Sequence, residues 1–171
     1  MADPEEITTR YPPAASTGPK DVGLKKMLVV TDFSAEASAA IDHAVKLSKL
    51  AGMDVALLHI VEVPTYQINP VVVAASNRVD TTLEAMRLRA MERLEALSET
   101  IRGSGINCTA TARLGIPSEE ILSEAENTRP DLIVLGNKGA SALKRFLLGS
   151  TAERVVRHAR CSVLVVRANP E

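Results

Sequence analysis

Two periods alternate along the chain. Residues 27–32, MLVVTD, form a β-branched apolar run too short for a helix and too apolar for a strand with one wet face, which predicts a strand covered on both sides. From 34 to 52 the spacing turns helical, with Ala37, Ala40, Ile41, Ala44, Val45, Leu47 and Leu50 on one stripe, Ser34 at the N-cap and Gly52 at the stop. DVALLHIVEV (54–63) predicts a second strand, and residues 64–80, with two prolines and no clean period, a long connection. An amphipathic helix is predicted over 81–105, its stripe made by Leu83, Met86, Ala90, Met91, Leu94, Leu97 and Ile101 and its end marked by Gly103 and Gly105. INCTATARLG (106–115) alternates as a half-exposed edge strand does. Pro117 opens a short helix over 117–127 with acids in its first turn. DLIVLG (131–136) is a further strand, SALKRFL (141–147) fits neither period, 150–160 reads as a helix, and SVLVVR (162–167) is the last strand.

Buried strands alternating with helices, β-α-β-α-β-α-β-α-β, predict an α/β fold, one open, doubly wound parallel sheet with right-handed crossovers and helices on both faces. Such sheets hold ligands beyond the carboxyl ends of their strands, where the strand order reverses. That rule selects Thr31, Asp32 and Phe33, the segment Ile60 to Val63, and the chain from Gly136 onward.

Composition narrows the function classes. A length of 171 residues suits one domain with a proper core, and 46% apolar with 24% charged residues is ordinary for a globular protein. A net charge of −1 and a pI near 6.3 argue against nucleic acid or an anionic membrane as partner. With 2% aromatic residues and no Trp, there is little on which to build a base-stacking platform. Cys108 and Cys161 form no CxxC pair and are expected to be buried, reduced thiols. Residues 1–23 carry four prolines, acids and no apolar core, which predicts a disordered tail rather than a signal peptide, ahead of a domain over 24–168. No apolar run reaches the length of a bilayer span, and a cytoplasmic location is expected.

The candidate chemistry lies in GNKGASALKRFLLGST (136–151), which holds three of the nine glycines, three basic side chains and no acid. Neither GxxxxGK[ST] nor GxGxxG is present, and the first strand ends in TDFS rather than a glycine turn. Gly136 and Gly139 offer close backbone approach to an anion, and Gly149 leads into a helix N-terminus that favours negative charge. Lys138, Lys144 and Arg145 add positive potential. The plain alternative is a turn at Gly149 followed by a capping box, Ser150 at the N-cap and Glu153 at N3, with the basic residues a solvated face. Spacing alone leaves both open.

Gly136-x-x-Gly139, nine residues, then Gly149-Ser150 resembles the G-2x-G-9x-G-(S/T) pattern of the ATP-binding branch of the universal stress protein family. VVTDFSAEA (29–37), LLHIVE (57–62), LGIPSEEIL (114–122), DLIVLGNKG (131–139) and LLGSTAERVVRHARCSVLVV (147–166) are similar to that family's blocks, in the same order. The resemblance implies five parallel strands in the order 3-2-1-4-5 and an ATP site. By that likeness Asp32, with Val30 and Thr31 beside it, serves the adenosine region, Ile60 presents backbone to the adenine, and Leu135 lines the pocket. Gly136 and Gly139 lie along ribose and phosphates, while Gly149, Ser150 and Thr151 serve the phosphates. Mg²⁺ is expected to be held mainly by the phosphates, since the loop has no carboxylate cluster; Asn137 and Lys138 get no assigned role. The resemblance also implies a homodimer paired through strand 162–167, to which Val163, Val165 and Val166 are suited.

A phosphoacceptor receiver domain shares the alternation but needs an acidic pair after strand one, an Asp after strand three and a Lys after strand five. Here those places hold Asp32 alone, Arg113-Leu114-Gly115 and Arg167. His43, His59 and His158 match no metal or nucleophile spacing and are read as structural. With no general base or arginine finger to name, ATP binding with slow or no hydrolysis is expected, in a regulatory role read by a protein partner. The alternatives are a dimeric interaction module of the same fold without ATP, and a slow ATPase or nucleotidyl-transfer enzyme.

Overall fold

The computed structural model describes residues 23–63, 77–137 and 148–168, with side chains in the second stretch described from 81. Residues 1–22 of the tail expected over 1–23, most of the connection at 64–80, SALKRFL, and Gly139 with Lys138, Lys144 and Arg145 lie outside the described residues. The elements are β1 (Lys26–Val30), α1 (Ala35–Ala51), β2 (Asp54–Glu62), α2 (Asn77–Gly103), β3 (Cys108–Gly115), α3 (Pro117–Thr128), β4 (Leu132–Gly136), α4 (Ser150–His158) and β5 (Ser162–Val166). The five strands form one sheet in the order β3-β2-β1-β4-β5, and every pair is parallel.

Both faces of the sheet are covered, which explains the unbroken apolar runs. Met27 and Val29 of β1 pack with Ala40 and Ala44 of α1 and Leu94 of α2. Leu28, between them in sequence, packs on the other face with Leu58, Ile133, Ile121 of α3 and Val155 of α4. Successive strand residues point to opposite faces, so a strand buried on both sides has no polar position to spare. β3 and β5 are the edges, and β3 shows the half-exposed pattern that its alternation predicts.

Helix ends follow local chemistry, with two departures from expectation. Ser34 caps α1 by accepting a hydrogen bond from the Ala37 N–H at 3.2 Å, and Gly52 ends it at φ 67°. α2 begins at Asn77, four residues ahead of the predicted start, because the polar residues there carry no apolar stripe to reveal a helix. The capping box predicted at Ser150 and Glu153 does not form. Gly149 is the N-cap, no side chain of the described residues caps α4, and the Glu153 carboxylate instead meets Arg157 at 2.7 Å.

Candidate functional site

The strand order reverses between β2 and β4, which flank β1, and in such sheets a ligand crevice is expected beyond the carboxyl ends of β1 and β4. The β1–α1 turn supplies its first wall. Val30 ends β1 half-buried against the α3/α4 layer, and buried Thr31 continues the strand direction, its N–H donating to the Leu58 carbonyl at 2.9 Å. The Thr31 hydroxyl oxygen accepts from the Phe33 N–H at 3.0 Å. Exposed Asp32 accepts at Oδ1 from both the N–H and the hydroxyl of Ser34, so the carboxylate is tied to the helix cap. Phe33 has φ 62°, a conformation a bulky side chain adopts only when its surroundings hold it there.

β4 and α4 supply the opposite wall. Leu135 is buried in the α3/α4 layer, and Ile60 lies in that same layer from β2. Gly136 ends β4, and the chain leaves through Asn137, whose N–H donates to the Val166 carbonyl at 2.7 Å. The Asn137 carbonyl then accepts from the Gly149 N–H at 2.8 Å, which brings the N-terminus of α4 against the end of β4. Ser150 is exposed and Thr151 half-buried in its first turn. Val30, Thr31, Asp32, Leu135, Gly136, Gly149, Ser150 and Thr151 therefore gather at one end of the sheet, with Ile60 one strand away.

Gly136 has a packing reason as well as a place in the motif. A Cβ there would stand 3.1 Å from the Glu36 carbonyl carbon, in the first turn of α1. Asn137, unassigned by the sequence reading, is the side chain that only the fold reveals. It is buried, and among the described residues its Oδ1 is the one buried side-chain oxygen or nitrogen without a hydrogen-bond partner. Such an acceptor is costly in a closed core and is a place for a donor to arrive. Nothing in the GNKG spelling separates a buried Asn from an exposed one.

The remaining titratable candidates stand apart. His43 and His158 each turn Nδ1 to the carbonyl four residues back, Ala39 and Arg154 respectively, both at 2.8 Å. Both cysteines are free; Cys108 is buried, Cys161 only partly, and burial pushes both thiols up, away from reactive thiolate. Among the described residues no group of three or more His, Cys, Asp or Glu side chains is placed to hold a metal, and no helix is long and apolar enough to cross a membrane.

Comparison with known proteins agrees with this architecture. The model of the universal stress protein family matches residues 23–167. Universal stress protein MJ0531 of Methanocaldococcus jannaschii is 32% identical over 143 residues, covering 84% of this chain and 82% of its own. The solved structure of MJ0577, from the same organism, superposes with a TM-score of 0.74 at 31% identity, over 88% of this chain and 100% of that one. A universal stress protein from Archaeoglobus fulgidus, solved in complex with dAMP, shares the fold at a TM-score of 0.58 and 19% identity, over 83% of this chain and 97% of its own. With the matched region spanning the whole sheet, the chain belongs to the universal stress protein family.

Proposed function

We propose that this protein binds ATP in the crevice beyond β1 and β4 and that occupancy changes a surface read by a protein partner in a stress response. The observation that carries the reading is the pairing of an orphaned acceptor with an uncapped helix. Among the described residues Asn137 Oδ1 is buried without a partner, and one hydrogen bond away Gly149 opens α4 with no side-chain cap hydrogen bond. A ribose hydroxyl satisfies the first and phosphate oxygens the second. That a fold neighbour was solved with dAMP supports an adenine nucleotide as the class of ligand.

In this reading Asp32, held by Ser34, receives the nucleoside hydroxyls with Val30 and Thr31 behind it. Ile60 presents backbone to the base and Leu135 helps line the pocket, and Gly136, Gly139, Gly149, Ser150 and Thr151 follow the ribose and phosphates. Mg²⁺ would be held through the phosphates. Residues 24–168 are the nucleotide-binding unit, and binding proceeds with slow or no hydrolysis in the cytoplasm. β5 is an edge strand with half-buried Val163, Leu164 and Val165, which supports a homodimer paired through it.

The test is the nucleotide released by acid from purified protein, read by chromatography, together with thermal shift in ATP-Mg. At about 100 times its Kd, ATP should add roughly 2.7 kcal/mol to stability. Gly139→Val should abolish the shift while leaving the circular dichroism spectrum unchanged. No released nucleotide and no shift at millimolar ATP-Mg would sink the reading.

A further inference from the structure

His59 is an unexpected residue for its place. It alternates with Leu57 and Val61 in β2 and so shares their face of the sheet, where the neighbouring positions are aliphatic. A leucine would fill that layer without a polar atom to satisfy. Two contacts account for the imidazole, and a third braces the ring it packs on. Its Nδ1 is 2.8 Å from the Thr31 carbonyl oxygen, and because a carbonyl only accepts, Nδ1 carries the hydrogen. Its ring stands 4.6 Å from that of Phe33, tilted by 36°. The Arg93 guanidinium, reaching from α2, lies over the Phe33 ring at 3.8 Å. The three side chains thus meet at a turn whose central residue, Phe33, has φ 62° and needs tertiary contacts to keep it so.

We propose that His59 is a positioning residue of the nucleotide site: its Nδ1–H on the Thr31 carbonyl and its ring against Phe33 hold the Thr31–Ser34 turn so that Asp32 faces the nucleoside, and protonation of the imidazole at Nε2 keeps that bond but draws the Asp32 carboxylate out of place. The inference rests on the ATP reading above and adds its regulation by pH. The charged groups facing His59 are Asp32, from the turn itself, and Arg93, from α2. A second proton makes an imidazolium that burial disfavours and Arg93 repels. The same charge draws the Asp32 carboxylate toward itself, away from a ligand. Burial accordingly holds the imidazole below its ordinary value, with the Thr31 hydrogen bond and Asp32 opposing and Arg93 adding to the lowering.

The experiment compares the full chain with His59→Asn and His59→Leu, measuring ATP-Mg affinity by calorimetry from pH 8 to 5 and following backbone amides by NMR. Asn places its Nδ2–H where Nδ1–H stood and does not titrate. It should bind within about threefold of the natural protein at pH 7.5, and the ratio of the two affinities, which cancels protonation of ATP itself, should change by roughly fivefold or more as His59 titrates. Leu keeps the bulk without the donor and should bind about tenfold more weakly at pH 7.5, the size of one lost hydrogen bond. Parallel pH curves for the natural protein and His59→Asn, or natural affinity in His59→Leu, would overturn the proposal. If the natural protein binds no ATP at pH 7.5, the ATP reading fails alone, and the Phe33 and Ser34 amides decide the positioning role. Amide shifts that follow the His59 midpoint in the natural protein and stay flat in His59→Asn uphold it; shifts that ignore the midpoint refute it.

Discussion

At Gly136 the missing side chain is required by α1 before any ligand is considered. An alanine methyl would press on the Glu36 carbonyl carbon and carbonyl oxygen, at 3.1 and 3.2 Å, and backbone in the first turn of a helix cannot swing aside as a side-chain tip can. Gly136→Ala should cost about 1–3 kcal/mol, the usual range for overpacking, read as a lowered urea midpoint. A loss under about 0.5 kcal/mol would show that α1 shifts freely there. The motif spelling identified Gly136 but not this reason, since the close approach of α1 depends on the packing of two elements distant in sequence. Asn137 illustrates the converse. Its importance comes from burial next to an unsatisfied position, and burial in a loop is not written in local spacing.

Helical periodicity located both long helices and misjudged the ends of their stripes. In α1 the buried line runs Ala37, Ala40, Ile41, Ala44 and then Ser48, while Leu50, placed on the stripe by the sequence reading, is 85% exposed. Two positions beyond Ser48 is about 200° around the helix, so Leu50 faces water. In α2 Met86 is 50% exposed although Ala90, Leu94 and Ile101 below it are buried. The 27 residues of α2 span about 40 Å, whereas the 8 of β3 span about 26 Å, so the first turns of α2 overhang the sheet. Leu94→Ala should therefore cost about 2–5 kcal/mol and Leu50→Ala less than about 0.5 kcal/mol, both by urea unfolding. Comparable losses for the two would mean that the stripe, not the sheet, sets burial.

For the molecule as a whole, acid should act in two stages. His59 titrates below its ordinary value of 6.5 in the folded state, so the unfolded chain holds more protons in the window just under 6.5 and stability rises with pH there. Asp131 works at the opposite end of the sheet. It accepts from the Lys26 and Lys25 N–H groups at 2.9 and 2.7 Å, which joins the starts of β1 and β4 and holds its carboxyl below 3.8. Its contribution is complete above 3.8 and is lost as pH falls through the lowered folded value. Urea midpoints from pH 8 to 3 should decline first below 6.5 and again in the carboxylate range. His59→Asn should remove the first step and Asp131→Asn should shrink the second, which Glu84, held low by Arg87, also feeds. A step left unchanged in its variant would assign it elsewhere.

Sequence alone determined the alternation of elements, and with it the parallel doubly wound class, because strands buried on both faces leave unbroken β-branched runs and helices leave a 3.6 period. It also supplied the glycine spacing by which the chain resembles its family, and through that resemblance the strand order. Tertiary structure decided what those residues face. It put Gly149 rather than Ser150 at the cap of α4, buried Asn137 with its side-chain Oδ1 left without a partner, and set His59 and Arg93 around Phe33 at a turn one strand away. Each of these depends on contacts between elements far apart in the chain, and local periodicity carries no record of such distances.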